Sequence, residues 1–174
     1  HLTVTLVRDV PRRAPVDGEH RPPGGEAPDL DLAKCRSLAG ALLPGVDFTR
    51  EIALTRELAI GNTTLIRDNG ELIAFALWHS TPLAAGRPRD ELRVLKLVAR
   101  DSTAFDRLLD ALPAVATAER VSRVAIRCQT EFASAYLQLV NRGYRVHWTD
   151  LRMTLEGYPQ RPPARGMVMS NWEI

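Results

Sequence analysis

The sequence predicts an α/β domain built on one mixed sheet, with elements in the order β-α-α-β-β-β-α-β-α-β-β. Three observations carry that expectation. Two β-rich runs, TTLIR and ELIAFALWH, flank Asp68-Asn69-Gly70, and Asn-Gly readily takes the positive φ angles of a tight hairpin turn. Phe105, Leu108, Leu109, Leu112 and Val115 recur at the spacing of one helix face. The apolar run VSRVAIRCQ (121–129) passes directly into EFASAYLQLVNRGYRV (131–146), a helical stretch that stops at Gly143-Tyr144. Strand-helix-strand passages of this kind give local parallel pairing. A chain of 174 residues, 45% hydrophobic and 25% charged, has the size and composition of a single domain spanning 1–174.

The elements follow in order. LTVTLVRD (2–9) alternates like a strand. A Pro- and Gly-rich loop over 8–29 comes next, and loops of that length in a compact domain usually serve a cleft or a partner subunit. Asp29 or Asp31 caps a helix carrying Leu32, Cys35, Leu38, Ala39, Leu42 and Leu43, which Pro44-Gly45 ends. Asp47 caps a second helix with Phe48, Ile52, Thr55 and Ala59 on one face, stopped by Gly61-Asn62. The hairpin over 63–79 and the strand LRVLKLVA (92–99) form a meander. The helix that follows carries the 105–115 stripe and should kink or restart at Pro113, since proline removes a donor and clashes with the preceding turn. After the strand at 121–129 and a helix over 131–142, YRVHWTDLRMTLEG (144–157) is one bent strand or two. A Pro-rich link (158–166) leads to a last strand in MVMSNWEI.

Composition narrows the function classes. The net charge is +2 from 23 basic and 21 acidic residues, interspersed, so no coherent field calls for nucleic acid or an anionic membrane. Arginine replaces lysine almost throughout, Lys34 and Lys96 excepted, which with the abundant Ala and Pro is the coding composition of a GC-rich bacterium. Cys35 and Cys128 lie in apolar surroundings without metal-type spacing and read as buried thiols in a reducing cytosol. No apolar run reaches the ~20 residues of a membrane span. A soluble, cytoplasmic protein is expected. HxxxH, CxxC and paired-carboxylate spacings are absent, so no metal site is expected. His79 and His147 fall near strand ends and read as structural residues.

In GELIAFALWH, LRVLKLVA and above all SRVAIRCQTEFASAYLQLVNRGYRV, the chain resembles the GNAT superfamily of acyl-CoA-dependent N-acetyltransferases. There a strand like Ser122 to Gln129 leads into a helix with an alanine placed as Ala135 is, ending at a Gly and an aromatic residue, here Gly143-Tyr144. The resemblance implies acetyl-CoA as cosubstrate and an amine acceptor, a small molecule or a peptide. It places the thioester where neighbouring parallel strands, 92–99 and 122–129, splay apart. Backbone groups of Leu97, Val98 and Ala99 would then bond the pantetheine, and one N–H would polarise the thioester carbonyl. Arg100, Ser102 and Thr103, at the next helix N-terminus, would meet the pyrophosphate.

Two departures stand beside that resemblance. The pyrophosphate loop ARDSTAF is short and lacks glycine, and Asp101 reads most simply as a helix cap. Leu139 stands where the family's thiolate-protonating tyrosine is expected; Tyr136, one turn earlier, is the catalytic candidate, set against a plain packing role with Phe132 and Leu139. Glu131, placed in the first helical turn, is a candidate base for the amine or merely complements the helix dipole. The alternative is a GNAT-like domain that has lost catalysis and serves as a ligand-binding or dimerisation module. An open gap between the two strands would mark the enzyme, and a gap filled by side chains or by the chain's own tail would mark the module. The long Pro-rich loop and the tail, with Met167, Met169 and Trp172, are the expected sources of acceptor specificity or of subunit contacts, and a homodimer is expected.

Overall fold

The computed structural model describes residues 2–11, 31–82, 84, 86–151, 153 and 162–170. Most of the loop over 8–29, residues 158–161 of the 158–166 link and Trp172 therefore lie outside the described residues, while Arg8 and Asp9 belong to the first strand. The elements are β1 (Leu2–Asp9), α1 (Leu32–Leu42), α2 (Thr49–Glu57), β2 (Gly61–Asp68), β3 (Glu71–His79), β4 (Glu91–Ala99), α3 (Ser102–Ala118), β5 (Arg123–Gln129), α4 (Ala133–Asn141), β6 (Arg145–Leu151) and β7 (Met167–Ser170). This is the predicted order. The strands form one seven-stranded sheet in the order β2-β3-β4-β5-β1-β6, with β7 pairing β4 off that path.

Local chemistry sets most of these bounds. Asp31 caps α1 by accepting from the Lys34 N–H at 3.1 Å. Asp47 accepts from the Thr49 N–H at 2.9 Å, one residue ahead of the position expected of a cap. Asn69 (φ 47°) and Gly70 (φ 82°) supply the two positive angles of the hairpin between β2 and β3. The stop of α2 differs from the expectation. Ala59 (φ 51°) breaks the helix, whereas Gly61 already belongs to β2, where a Cβ would lie 1.9 Å from the Trp78 carbonyl oxygen. Only a residue without Cβ lets β2 approach β3 there.

Pro113 does not restart α3, which runs unbroken from Ser102 to Ala118. The stripe Phe105, Leu108, Leu109 and Leu112 is fully buried against the sheet, and the Thr117 hydroxyl donates to the Pro113 carbonyl at 2.9 Å. Tertiary burial of that face outweighs the proline's local cost of ~3 kcal/mol.

The sheet is sandwiched. On one face α3 and α4 enclose the larger core, with Val4, Leu6, Leu97, Ile126 and Met169. On the other, α1 and α2 cover a smaller core of Cys35, Ile52, Phe75, Val98 and Val168. Because side chains alternate along a strand, Leu97 and Val98 feed opposite cores. β1 enters between β5 and β6, antiparallel to both, which among the described residues leaves β6 at the sheet edge with Val146, Trp148 and Leu151 exposed.

Candidate functional site: a strand gap closed from within

The sole parallel pair in the described sheet is β4 with β5, and its ladder is short: Glu91↔Arg123, Leu92↔Val124, Arg93↔Ala125 and Val94↔Ile126. Beyond Val94 the strands part. The cause lies on the other side of β4, where the register with β3 slips, Trp78 facing Val94 while Leu77 faces Lys96. Leu95 is the extra residue of a β-bulge, and a bulge bends its strand and increases its twist. β4 therefore turns away from β5 just as it reaches its carboxyl end.

The predicted divergence is present, but the gap is not open. β7 runs into it antiparallel to β4, pairing Lys96↔Ser170, Leu97↔Met169, Val98↔Val168 and Ala99↔Met167. The Arg100 N–H donates to the Ile73 carbonyl at 2.9 Å on the β3 side, so alternation turns the N–H groups of Ala99 and Leu97 the other way, towards β7. The main-chain groups expected to grip pantetheine thus serve the ladder of the chain's own last strand. That arrangement is the one expected of the non-catalytic alternative. Gly166 makes the entry possible: its φ is +68°, and a Cβ there would lie 2.5 Å from the Ala99 oxygen and 2.6 Å from that of Arg100.

The remaining candidate residues fall on either side of this closed gap. Arg100 pairs with Glu71 at 2.9 Å and with Asp101 at 3.3 Å. Asp101 caps α3, accepting from the Ala104 N–H at 2.8 Å, and that bond, with help from Arg100, holds its carboxyl below the usual range. Its carboxylate therefore sits among the N–H groups that a pyrophosphate would need. Ser102 and Thr103 are exposed at the first turn. An acyl-CoA does not fit this arrangement: its pantetheine path holds β7, and its anion position holds Asp101.

Across the gap, Glu131 is not in a helical turn, because α4 begins at Ala133; it is exposed in the turn after β5. It lines a small, partly open hollow, with room for about one water, together with Gln129, Phe132, Leu43, Pro162, Pro163 and Val168. Tyr136 is half-buried and packs against the larger core, one turn before the fully buried Leu139. Gly143 (φ 82°) ends α4, and the Tyr144 N–H returns to the Leu139 carbonyl at 3.1 Å. Tyr144 is buried beneath the Arg8 guanidinium, 5.9 Å from its ring centre, and burial pushes its hydroxyl up to about 12. The Gly-aromatic pair thus closes a helix and fills a core.

Three residues at the gap, Lys96, Gln129 and Ser170, carry no signal of a site in the sequence pattern. Lys96 is 3% exposed; its ammonium reaches the Ser170 hydroxyl at 3.0 Å, lies 5.4 Å from the centre of the Phe48 ring and 4.0 Å from Glu51. Gln129 is 4% exposed; its Nε2 donates to the Ser170 carbonyl at 3.1 Å, while its Oε1 has no hydrogen-bond partner among the described residues. Both side chains converge on Ser170. A lysine inside LRVLKLVA is the nearest thing to a clue, since a charge in an apolar strand demands partners.

His79 and the two thiols are buried. His79 bonds the Thr55 hydroxyl at 2.9 Å and is pushed down to about 4, by burial first and by Arg93 second. His147 is exposed on β6. Burial pushes the Cys35 and Cys128 thiols up to about 11 and 12. Among the described residues no group of three His, Cys, Asp or Glu is placed to hold a metal, and no helix is long and apolar enough to cross a membrane.

No protein-family model and no curated relative match the chain. Solved structures do. The chain is similar to TTHA1254 from Thermus thermophilus, with 22% identity over 74% of this chain and 93% of that one and a TM-score of 0.51. A point mutant of that protein gives 22% identity, 75% and 93% coverage and a TM-score of 0.52. A Novosphingobium aromaticivorans protein named a "putative acetyltransferase from the GNAT family" matches at 18% identity over 85% of this chain and 61% of that one, with a TM-score of 0.56. At such identities the likeness establishes architecture: the chain has a GNAT-like fold, a mostly antiparallel seven-stranded sheet with helices on both faces.

Proposed function

We propose that this chain is a GNAT-like domain closed against acyl-CoA, a non-catalytic binding or dimerisation module in the form described. The observation that carries the reading is β7, whose backbone pairs with Leu97, Val98 and Ala99 where a thioester would have to lie. Fold alone does not assign an activity. The dimerisation arm rests on β6, which among the described residues is an edge strand with Val146, Trp148 and Leu151 exposed, since unpaired apolar edges invite pairing. A sedimentation run with monomer alone at micromolar concentration counts against that arm.

A second reading keeps the fold's chemistry: an acyl-CoA-dependent N-acetyltransferase that moves an acetyl group from acetyl-CoA to an amine. What favours it is the bulge at Leu95, which turns the Leu97 and Ala99 N–H groups into a gap filled by the four described residues of β7. In this reading those N–H groups polarise a carbonyl, Tyr136 and Glu131 handle protons, and Arg100, Ser102 and Thr103 meet phosphate. Calorimetry with acetyl-CoA separates the two. Heat from the full chain at micromolar ligand overturns the closed-module reading. Silence from the full chain, with binding by a chain ending at Gly166 and release of free CoA thiol when an amine is added, assigns the enzyme to the open form. Silence from both leaves the module alone.

A further inference from the structure

We propose that β7 is a displaceable strand, so that the gap between β4 and β5 alternates between a self-occupied and an open state, with Ser170 as the latch. The inference concerns regulation of the site described above and rests on geometry that does not require acyl-CoA to bind. Among the described residues β7 is four residues long and its ladder is with β4 alone; β5, on its other side, forms no ladder with it there. Its attachment to β5 includes a side-chain bond, Gln129 Nε2 to the Ser170 carbonyl, at the same residue whose hydroxyl meets Lys96.

Packing beside the strand is incomplete. Val168 and Gln129 line a small, partly open hollow with room for about one water, and the buried Gln129 Oε1 accepts from no donor among the described residues. A buried acceptor without a donor costs free energy in the closed state that the open state recovers from water. The strand enters through Gly166, whose positive φ and missing Cβ let the chain pass close to the Ala99 and Arg100 carbonyls. Short ladders, one-sided pairing and imperfect packing are the features of segments that open locally without global unfolding. Opening bares the N–H groups of Leu97 and Ala99 and the Lys96 ammonium together.

Residue-resolved amide hydrogen exchange on the full chain tests this. Val98 and Arg100 turn their N–H groups to β3, and Leu97 and Ala99 turn theirs to β7, so one strand contains its own reference. Leu97 and Ala99 are expected to exchange roughly 100-fold faster than Val98 and Arg100. Ser170→Ala, which removes the hydroxyl that Lys96 holds, should speed Leu97 and Ala99 a further ~10-fold while Val98 and Arg100 keep their rates. A disulfide between Val98→Cys and Val168→Cys, which face each other across the ladder, should abolish the difference when oxidised and restore it when reduced. Equal protection of the four amides overturns the proposal, and an unchanged ratio in Ser170→Ala overturns the latch. Fast exchange with no acetyl-CoA binding leaves the displaceable strand standing and removes the transferase reading. Acetyl-CoA binding with uniform protection does the reverse.

Discussion

Gly61 and His79 show how single residues hold this fold, one by having no side chain and one by having no charge. A Cβ at Gly61 would lie 1.9 Å from the Trp78 oxygen and 2.8 Å from the His79 Cα, both main-chain atoms at the head of the β2–β3 ladder. Gly61→Ala must move one strand or the other, and overpacking of this kind costs about 1–3 kcal/mol, read as a lowered urea midpoint at unchanged m. An unaltered midpoint would show that the strands yield freely. His79 lies at the end of the same ladder, buried on the Thr55 hydroxyl and held down to about 4. Its unfolded value is near 6.5, so between 6.5 and 4 the unfolded chain binds the extra proton and stability falls with falling pH. The loss is complete below the folded value, where both states are protonated. On the order of 3 kcal/mol is at stake, as an upper figure. His79→Gln should lack that part of the slope when urea titrations at neutral pH and near pH 4.5 are compared. Equal slopes in the two proteins would remove the assignment.

At the scale of elements, what can be read from the sequence is what depends on near neighbours. Asp101 and α3, Asp31 and α1, and the Asn69-Gly70 hairpin are each specified within a few residues, and the structure places them as expected. Pro113 is a local cost that does not decide the outcome, because the burial of Phe105, Leu108, Leu109 and Leu112 against four strands is not a local quantity. That account predicts a gain on substitution. Pro113→Ala restores a helix donor but gives the unfolded chain more freedom, so a net stabilisation of about 1–2 kcal/mol is expected by urea titration. A neutral or destabilising result would mean that α3 is shaped around the proline. β7 is legible as a strand but not as the occupant of the gap. Nothing in Met167–Ser170 names a partner, and the Lys96–Ser170 bond spans 74 positions. Glu131 falls outside its expected helical turn for a related reason: the apolar period runs on through Phe132, while the helix begins only at Ala133.

For the molecule as a whole, β7 decides how firmly two half-sheets are joined. One half is β2-β3-β4 and the other β5-β1-β6, linked by a ladder that ends at Val94↔Ile126. β7 extends that joint, contributing Met167 and Met169 to one core and Val168 to the other. Burying three such side chains yields about 5–8 kcal/mol gross, at ~1.5–3 kcal/mol each. Ordering four residues costs about 1–2 kcal/mol each in backbone entropy and offsets most of it. The closed state therefore leads by a margin of only a few kcal/mol. A chain ending at Gly166 should accordingly stay folded, with Tm lowered by roughly 3–10 °C, since each kcal/mol moves a domain of this size by about 2–4 °C. Acetyl-CoA should leave the Tm of the full chain unchanged, because in the closed form β7 takes up the Leu97 and Ala99 main-chain groups. In the shortened chain, if the vacated amides do bind it, ligand at 100 times Kd restores about 2.7 kcal/mol and most of the lost Tm. A shortened chain that unfolds outright would make β7 an obligatory part of the core, whereas one that melts with the full chain would mean that β7 joins nothing.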